Sequence, residues 1–448
     1  MQRYEAYKDS GVEWIGEIPA GWEVERLKYC LSVNSGGIWG DDPLNDGFDK
    51  YVLRSTEQTV GGEWAITDPA IRNMSAVSKL ETYRILPGDL VVTKSSGSPN
   101  HIGKTTIAGT EFLEREYYYS NFMQRVRLQD ENNPRFYWYV MNSDLARNQY
   151  VFLQNSTSGL GNLSAETIGL ISVPHPRVIE QQAIADYLDV KTAQIDSIVS
   201  QTERSIELLR EYRKSAISEA VTKGLDPDAP MRDSGVEWIG EIPARWRIAK
   251  MTLISKSVLG RMLDQEKDTG RNAHKYLSNK DVQWFAFQIN DLKEMGFPEG
   301  SHERYRINDG DLMVCEGGEV GRCAVWRGPT PSFYFQKAIH RVRFDSLFAY
   351  PEYMAYQMYQ KALCNNFAEV RKGESTIAHL PGEQLSGLRM ILPPLPEQQA
   401  IADYLDGKTA QIDSLIADKQ RQVELLKEYR KSLISEAVTG KFKVPGLE

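Results

Sequence analysis

Three segments of the chain occur twice, almost letter for letter, and they limit the possible folds more than any other property of the sequence. The stretches between the repeated segments share little. The period is far longer than the roughly 20–50 residues of a solenoid unit. The sequence therefore predicts two copies of one domain, each followed by the same connector. The matching segments are 8–22 with 232–246, 180–197 with 397–414, and 207–222 with 424–439.

The segments between the repeats predict two α+β domains. Residues 23–177 and 247–395 mix short strand-like runs such as DLVVTKS and GDLMVCEGG with turn signals, and each has a helix-like stretch. We predict the following parts: a first domain with its constant motif at 1–177, a first helical spacer at 178–224, a second domain with the repeated motif at 225–395, a second spacer at 396–440 and a tail at 441–448.

Each repeated connector predicts a long helix. Residues 191–221 contain no proline or glycine, and their apolar side chains recur at three- and four-residue steps. Thr192 is a candidate N-cap and Gly224 a candidate helix stop, while EQQAIADYL predicts a separate, shorter helix. About 31 residues at 1.5 Å each make a rod of about 46 Å.

The apolar stripe on each long helix needs a packing partner. We expect the two helices to form an antiparallel coiled coil that separates two domains related by pseudo-two-fold symmetry. A simple helical hairpin and a homodimeric coiled coil are the alternatives. The SGVEWIGEIP motif is expected to be irregular, with its Trp and Ile side chains packing rather than binding a ligand.

The composition excludes several classes of protein. Of 448 residues, 41% are hydrophobic and 25% are charged, which is typical of a folded chain. No stretch approaches the roughly 20 apolar residues of a membrane span, and MQRYEAYKDSGVEW lacks the apolar core of a secretion signal. We therefore expect a cytoplasmic protein. Four cysteines without a CxxC pair argue against a disulfide scaffold and a zinc site.

Catalytic motifs are weak in this sequence. The segment from Gly97 to Thr105 resembles a phosphate-binding loop, but it has five residues between its glycines instead of four. The matching segment of the second half, CEGGEVGRCAVW, lacks the Lys-Thr pair. We interpret this segment as a hairpin turn or a polar loop that contacts a ligand. We find no HExxH, GxSxG or adenine-methyltransferase loop, so the sequence favours a protein that is not an enzyme.

The repeated motifs resemble those of the specificity subunit of type I DNA restriction-modification enzymes. The resemblance is carried by the SGVEWIGEIPxxW block that opens each half, by TKGLDPDAPMRDSG at 222–235 and by the EQQAIADYLD segments, with LPPLP before the second. It covers nearly the whole chain. It implies two target-recognition domains that each read one half of a split, asymmetric DNA site, with the helices setting the gap.

The resemblance also implies partners. Two modification subunits, which methylate adenine, would dock on the helices, and two restriction subunits with helicase and nuclease activities would complete the enzyme. S-adenosylmethionine, ATP and Mg are expected only on those partners, so we expect no cofactor or metal on this chain. A protein-binding scaffold without DNA reading, or a fused nuclease or methyltransferase, remains the alternative.

The candidate DNA contacts are polar side chains in loops of the two recognition domains. Base reading requires hydrogen-bonding side chains that reach a groove, and polar stretches at 155–164 and 370–380 precede the connectors. A solvent-exposed loop or a local cap is the alternative for each residue. The candidates are Lys94, Asn100, Lys104, Ser158, Asn162, Arg322, Lys372, Ser375, Thr376 and His379.

Overall fold

Two long helices run through the repeated connectors in this computed structural model, which describes residues 2–96, 101–153, 161–262, 273–328, 333–364, 367 and 379–447. The first helix has 46 residues and the second has 44. The chain divides into unit 1, Met1–Thr202 with Arg421–Glu448, and unit 2, Glu203–Gln420. Each long helix therefore contributes one part to each unit.

Unit 1 combines a four-stranded sheet with short helices. Its strands are β1 (Tyr7–Asp9), β2 (Glu17–Pro19), β3 (Glu23–Arg26), β4 (Leu31–Gly36), β5 (Asp49–Leu53), β6 (Ala70–Asn73), β7 (Leu90–Thr93), β8 (Ser95–Ser96), β9 (Thr105–Ile107), β10 (Tyr117–Tyr119), β11 (Met123–Leu128), β12 (Gly161–Asn162) and β13 (Ser172–His175). Its helices are α1 (Pro134–Asn142), α2 (Asp144–Leu153), α3 (Ala165–Leu170) and the first part of α4 (Val178–Lys223). The main sheet is antiparallel in the order β4-β11-β7-β9, and a second sheet has the order β10-β5-β6.

Unit 2 repeats this topology. Its strands are β14 (Met231–Asp233), β15 (Glu241–Pro243), β16 (Arg247–Lys250), β17 (Ser255–Leu259), β18 (Ala273–Leu277), β19 (Val282–Gln283), β20 (Ala286–Phe287), β21 (Glu294–Gly296), β22 (Leu312–Cys315), β23 (Cys323–Val325), β24 (Tyr334–Phe335), β25 (Ile339–Phe344) and β26 (Arg389–Leu392). Its helices are α5 (His302–Tyr305), α6 (Pro351–Leu363), α7 (Gly382–Gly387) and the first part of α8 (Leu395–Val438). The sheet orders β17-β25-β22-β23 and β21-β18-β24 match those of unit 1.

One buried carboxylate anchors the main sheet of each unit. In unit 1, both oxygens of Asp89 accept hydrogen bonds from Arg127, at 2.7 and 2.9 Å. In unit 2, Asp311 accepts the same pair from Arg343, at 2.7 and 2.8 Å. A bidentate arginine–carboxylate contact fixes both the position and the orientation of the two side chains. The two units therefore share a framework although their sequences differ.

The two predicted long helices are present and antiparallel, but α4 begins earlier than the predicted start at Thr192. The helix is continuous from Val178, so EQQAIADYL is not a separate helix. Thr192 lies inside the helix, where its hydroxyl donates to the Leu188 carbonyl at 2.7 Å instead of capping an N-terminus. No proline or glycine interrupts this stretch, so nothing stops the helix there. At 1.5 Å per residue, α4 is about 69 Å long.

The two helices pack antiparallel within each unit. In unit 1, Tyr187 packs against Phe442 and Asp196 pairs with Arg430 at 2.8 Å, so the numbers rise along one helix and fall along the other. In unit 2, Arg213 pairs with Asp413 at 2.9 Å. The equivalent ion pair thus occurs in each unit, and the predicted antiparallel arrangement is confirmed.

Both long helices end at a glycine, as predicted for α4. Gly224 and Gly440 adopt φ values of +80° and +68°, in the left-handed region that favours glycine. A Cβ atom on either would lie 3.0 Å from a tryptophan ring, that of Trp246 or Trp22. The repeated tryptophan motif therefore packs on the end of a long helix in each unit.

The SGVEWIGEIP motif is more regular than the sequence indicated. It contributes the second strand of a hairpin, β1–β2 in unit 1 and β14–β15 in unit 2. Ile15, Ile18, Ile239 and Ile242 are buried, which confirms that these side chains pack. The five-part division of the chain stays a prediction. Among the described residues, no helix is long and apolar enough to cross a membrane.

Candidate nucleic-acid interface

The unit 1 rim is the end of the main sheet where β7 and β4 end and β11 begins, formed by Lys94, Ser95, Phe122, Gln124 and Asn162. The Lys94 and Ser95 amides both donate to the Phe122 carbonyl, at 3.0 and 3.3 Å. β8 pairs with β12, and the Ser95 hydroxyl donates to the Asn162 side chain at 2.6 Å. The structure therefore brings together two of the predicted contacts, Lys94 and Asn162.

The chemistry of the unit 1 rim suits nucleic acid. The Lys94 ammonium lies over β4, since a Cβ on Gly36 would be 3.4 Å away, and no described carboxylate pairs with it. A hydrogen bond of 2.7 Å joins the amide side chains of Gln124 and Asn34. The Phe122 ring is 56% exposed. The cation and the exposed aromatic ring are groups that contact phosphates and bases, whereas Gln124 is 2% exposed and lies beneath them.

The unit 2 rim is the equivalent end of the second main sheet, formed by Glu316, Gly317, His340 and His379. An isolated bridge pairs Gly317 with His379, and the Leu380 amide donates to the Glu316 carbonyl at 2.7 Å. The His340 Nε2 atom lies 2.9 Å from the Leu380 carbonyl oxygen. His379, a predicted contact, is exposed at this rim.

The two rims share a backbone but present different side chains. In unit 1 the Leu163 amide donates to the Lys94 carbonyl at 2.7 Å, the same bond that Leu380 makes to Glu316 in unit 2. A lysine in one unit thus stands where a glutamate stands in the other. Likewise, Gln124 corresponds to His340, and Asn162 to His379.

Burial affects the protonation of the histidine at the second rim. It lowers the pKa of His340, while the bond to the Leu380 carbonyl and the nearby Glu316 carboxylate act in the opposite direction. A neutral imidazole carries a single N–H proton. His340 therefore donates to the Leu380 carbonyl in the tautomer that has this proton on Nε2. Gln124 has no such dependence on pH, so the two rims differ in electrostatics as well as shape.

Lys104 and Arg322, two of the predicted contacts, bond to oxygen atoms of the protein itself. The buried Lys104 ammonium donates to the Ser55 and Gln58 carbonyls at 3.2 and 2.7 Å, and burial lowers its pKa. Arg322 donates to the backbone and side-chain oxygens of Asn279, both at 2.9 Å. Each cation satisfies carbonyls around a 3₁₀ turn, Ser55–Glu57 or Asn279–Asp281. The two residues are structural equivalents, with Lys104 buried and Arg322 half-buried.

The described part of the glycine-rich segment, residues 101–105, leads into a strand. The Gly103 amide donates to the Thr93 carbonyl at 2.9 Å, and strand β9 follows where a phosphate-binding loop needs a helix. Gly103 has a φ of +78°, and a Cβ there would lie 2.4 Å from the Tyr150 ring. Gly321 repeats this in unit 2, against Phe367 at 2.5 Å.

Five predicted contacts lie outside the described residues: Asn100, Ser158, Lys372, Ser375 and Thr376. Sequence reasoning missed Phe122, Gln124, Glu316 and His340. Two of these had a visible signal. QRVRL at 124–128 and HRVRF at 340–344 differ at their first residue while the two arginines match. The shared Arg-Val-Arg core shows that the two strands are equivalent, so the difference between Gln124 and His340 marks a position where the two units diverge.

A second apolar face runs along both long helices, in addition to the buried stripe. Its members recur at the same positions in the two copies and lie within an arc of about 80° at about 100° per residue. The exposed members are Ile198, Leu208 and Tyr212 on α4, and Tyr404, Leu415, Leu425 and Tyr429 on α8. Tyr187, the equivalent of Tyr404, is half-buried.

Comparisons with known proteins match this architecture. The sequence model described as the type I restriction modification DNA specificity domain matches residues 19–208 and 259–425. The chain is 23% identical over 437 residues to the type I restriction enzyme EcoKI specificity subunit of Escherichia coli K12, covering 95% of this chain and 90% of that protein. It is 22% identical to the putative MjaX specificity subunit of Methanocaldococcus jannaschii, covering 96% of each.

Two solved structures have the same fold. One, from work on complex assembly and conformational transition of the type I R-M system, has a TM-score of 0.73 at 14% identity and covers 95% of this chain and 99% of that one. The other is the HsdS subunit from Thermoanaerobacter tengcongensis, with a TM-score of 0.60 at 15% identity, covering 95% of this chain and 98% of that one.

Proposed function

The chain belongs to the type I restriction modification DNA specificity family, and we propose that its two units read the two halves of one asymmetric DNA site. The family match favours DNA sequence specificity over a scaffold that binds proteins alone. The rims support the assignment of different half-sites to the two units. Lys94, Gln124 and Asn162 in unit 1 are replaced by Glu316, His340 and His379 at the equivalent positions of unit 2. Different hydrogen-bonding groups on equivalent frames select different bases.

The rims are tested by exchanging their side chains. We expect the unit 1 variant Lys94→Glu/Gln124→His/Asn162→His, in the complex with its modification partner, to change the methylated sequence in one half of the site. The other half and the gap stay unchanged, because unit 2 is untouched. Sequencing of methyladenine on a DNA library measures this. A variant that methylates the original site at the original rate would contradict the assignment of this rim.

The apolar faces of the long helices support docking of two copies of one partner. The helix parts in unit 1 carry Ile198, Leu425 and Tyr429, and those in unit 2 carry Leu415, Leu208 and Tyr212. Exposed apolar clusters on paired helices mark protein interfaces. One modification subunit would bind each unit, and S-adenosylmethionine would bind there and not to this chain.

Stoichiometry tests the docking faces. Native mass spectrometry of the complex is expected to show two modification subunits for the unmodified chain, one for Leu425→Asp or Leu208→Asp, and none for the double variant. Ser200→Asp, on a different exposed face of α4, serves as the control and keeps two. Loss of both partners from either single variant would show that the faces do not act separately.

The helices are further proposed to set the gap between the half-sites. Adding four residues, about one turn and about 6 Å, within 195–220 and at the matching place in α8 lengthens both connectors. We expect the methylated half-sites to be unchanged and the gap between them to grow. An unchanged gap in methylation mapping would contradict this role. On this proposal the chain has no catalytic activity of its own, and any restriction subunit and its ATP join through the assembled complex.

A further inference from the structure

Three side chains that commonly bind metal ions lie together in unit 1, away from its rim. Glu25 on β3, Cys30 just after β3 and His175 at the end of β13 each place one ligand atom within 4.8 Å of the others. Cys30 Sγ lies 3.8 Å from His175 Nδ1 and 4.0 Å from a Glu25 carboxylate oxygen. In the antiparallel β3–β13 ladder, Glu25 and His175 are diagonal neighbours on one face.

A second layer of polar groups surrounds these three side chains. The Tyr137 hydroxyl lies 2.9 Å from His175 Nδ1, 3.3 Å from Cys30 Sγ and 3.1 Å from the Asn132 side-chain oxygen. Tyr137 is fully buried and Asn132 nearly so, while Cys30 is a free thiol 1% exposed. Burying this many polar groups is costly unless they work together.

Unit 2 shows what this position looks like without such a cluster. The matching registers of β16–β26 and α6 place Ala249, Ile254, Leu392, Met354 and Ala349 at the positions of Glu25, Cys30, His175, Tyr137 and Asn132. All five are apolar. The same framework is therefore stable without polar groups here. Their joint presence in unit 1 points to a task that needs all of them.

We propose that Glu25, Cys30 and His175 bind a zinc ion, with water as the fourth ligand and the Tyr137 hydroxyl hydrogen-bonded to the sulfur. Thiolate, imidazole and carboxylate form the donor set that Zn²⁺ takes in proteins. Tetrahedral zinc places such atoms about 3.3–3.6 Å apart. The two separations from Cys30, 3.8 and 4.0 Å, would close by a few tenths of an ångström, and the Glu25 and His175 ligand atoms start within 4.8 Å of each other. Thiolate and carboxylate together balance the two positive charges.

Metal binding at this site is coupled to loss of a proton. The Cys30 thiol gives its proton to solvent as the S–Zn bond forms, and Zn²⁺ replaces that proton. Burial raises the pKa of the free thiol, the hydrogen bond from Tyr137 acts in the opposite direction, and the Glu25 and Glu131 carboxylates add to the rise.

The position of the site gives it a structural role. It joins β3, which follows the repeated tryptophan motif, to helix α1 through Tyr137 and to His175, which directly precedes α4. A zinc ion would tie these three segments together in unit 1 alone. The low cysteine count and the lack of a CxxC pair did not indicate a zinc site, because its ligands come from separate segments of the chain.

The test measures zinc in the full chain, purified without a metal-binding tag in buffer containing ZnSO₄ and then dialysed. Elemental analysis is expected to give about one zinc per chain. Titration of the metal-free chain with Co²⁺ should produce a sulfur-to-cobalt charge-transfer band. Unit 2 supplies matched substitutions: Cys30→Ile and His175→Leu should each reduce bound zinc at least tenfold, and Tyr137→Phe should weaken it about 10–100-fold.

Two controls keep the outcome decisive. Cys364→Ser, at the exposed cysteine of unit 2, should leave the zinc content unchanged. The variant Glu25→Ala/Cys30→Ile/His175→Leu/Tyr137→Met/Asn132→Ala copies unit 2 and should fold without zinc, which separates metal loss from misfolding. The proposal is wrong if the unmodified chain keeps no zinc, or if His175→Leu keeps as much zinc and gives the same cobalt band as the unmodified chain.

Discussion

Unit 1 and unit 2 have the same strand order and the same buried anchor, yet they differ at the sheet rims and around Cys30. The retained features hold the sheet together: the Asp89–Arg127 and Asp311–Arg343 pairs, and the lysine or arginine that caps the 3₁₀ turn. The rims differ where strands of the main sheet end, and the Cys30 cluster differs on β3, β13 and α1. The residues that hold the framework together and the residues proposed to read DNA are therefore different, so one framework can present two different rims.

The packing of α1 on α4 in unit 1 and of α6 on α8 in unit 2 is also retained. The Tyr139 hydroxyl donates to Asp189 of α4 at 2.7 Å in unit 1, and Tyr356 donates to Asp406 of α8 at 2.6 Å in unit 2. The two hydrogen-bond distances are similar because both partners of each contact belong to repeated or equivalent segments. A change in a rim therefore leaves the attachment of α1 or α6 to its long helix unaltered.

The largest effect is expected from removing a buried anchor. Asp89→Ala leaves Arg127 and the nearly buried Arg125 without their carboxylate, and Asp311→Ala does the same to Arg343 and Arg341. We expect each change to lower the free energy of unfolding of its own unit by about 3–5 kcal/mol. Hydrogen exchange followed by mass spectrometry measures the two units separately.

The comparison predicts that the two losses are similar. Asp130→Ala, at an exposed carboxylate, is the control and should change stability little. If Asp89→Ala costs several kcal/mol and Asp311→Ala costs almost nothing, the two anchors are not equivalent, and the shared-framework interpretation fails.

A close backbone approach gives the next effect. A Cβ on Gly37 would lie 2.2 Å from the Ser120 carbonyl oxygen, and one on Gly260 would lie 2.1 Å from that of Gln336. Because the obstacle is backbone, it cannot rotate away, and we expect Gly37→Ala and Gly260→Ala to cost about 1–3 kcal/mol each. Thermal unfolding measures the loss. Gly21→Ala, with open space around it, is the control.

The sequence predicted the parts of this fold that depend on periodicity and repetition. The apolar stripe gave the long helices and their antiparallel packing, and duplication gave two equivalent units. It misplaced the start of α4, because the hydroxyl of Thr192 can cap a helix or bond back within one, and only the continuing backbone decides which. Local pattern cannot settle that choice.

The candidate site was less predictable for a physical reason. Lys94 and Lys104 look alike in the sequence, but β7 and β9 turn one toward the rim and the other toward buried carbonyls. Glu25, Cys30 and His175 are far apart in the chain, and only the β3–β13 register joins them. Contacts that depend on strand register leave no mark in the spacing of residues.

The two lysines provide the third prediction. We expect Lys94→Ala to weaken DNA binding of the complex about tenfold while leaving unfolding unchanged, because its ammonium lies at the rim. Lys104→Met should lower the stability to unfolding and leave DNA binding unchanged, because it leaves the Ser55 and Gln58 carbonyls without a donor. Fluorescence anisotropy with a DNA duplex and thermal unfolding measure the two effects. Equal loss of DNA binding in both variants would contradict the distinction between them.

The smallest effect distinguishes the rims by pH. Burial holds the pKa of His340 below its ordinary value of 6.5. The unfolded chain therefore takes up a proton at a higher pH than the folded one, so this histidine destabilises unit 2 as pH falls from 6.5 toward the lowered pKa. At the equivalent position of unit 1, Gln124 does not titrate. We expect unit 2 to lose stability over this window and His340→Gln to reduce that loss.

His274 complicates this measurement, because burial and the neighbouring His302 lower its pKa as well. A second variant, His274→Gln, separates the two contributions, and the double variant should make the pH response of unit 2 resemble that of unit 1. Hydrogen exchange at pH 7.5 and at pH 5.5 gives the comparison. If His340→Gln leaves the pH response of unit 2 unchanged, the buried ring and its bond to Leu380 do not set the difference between the rims.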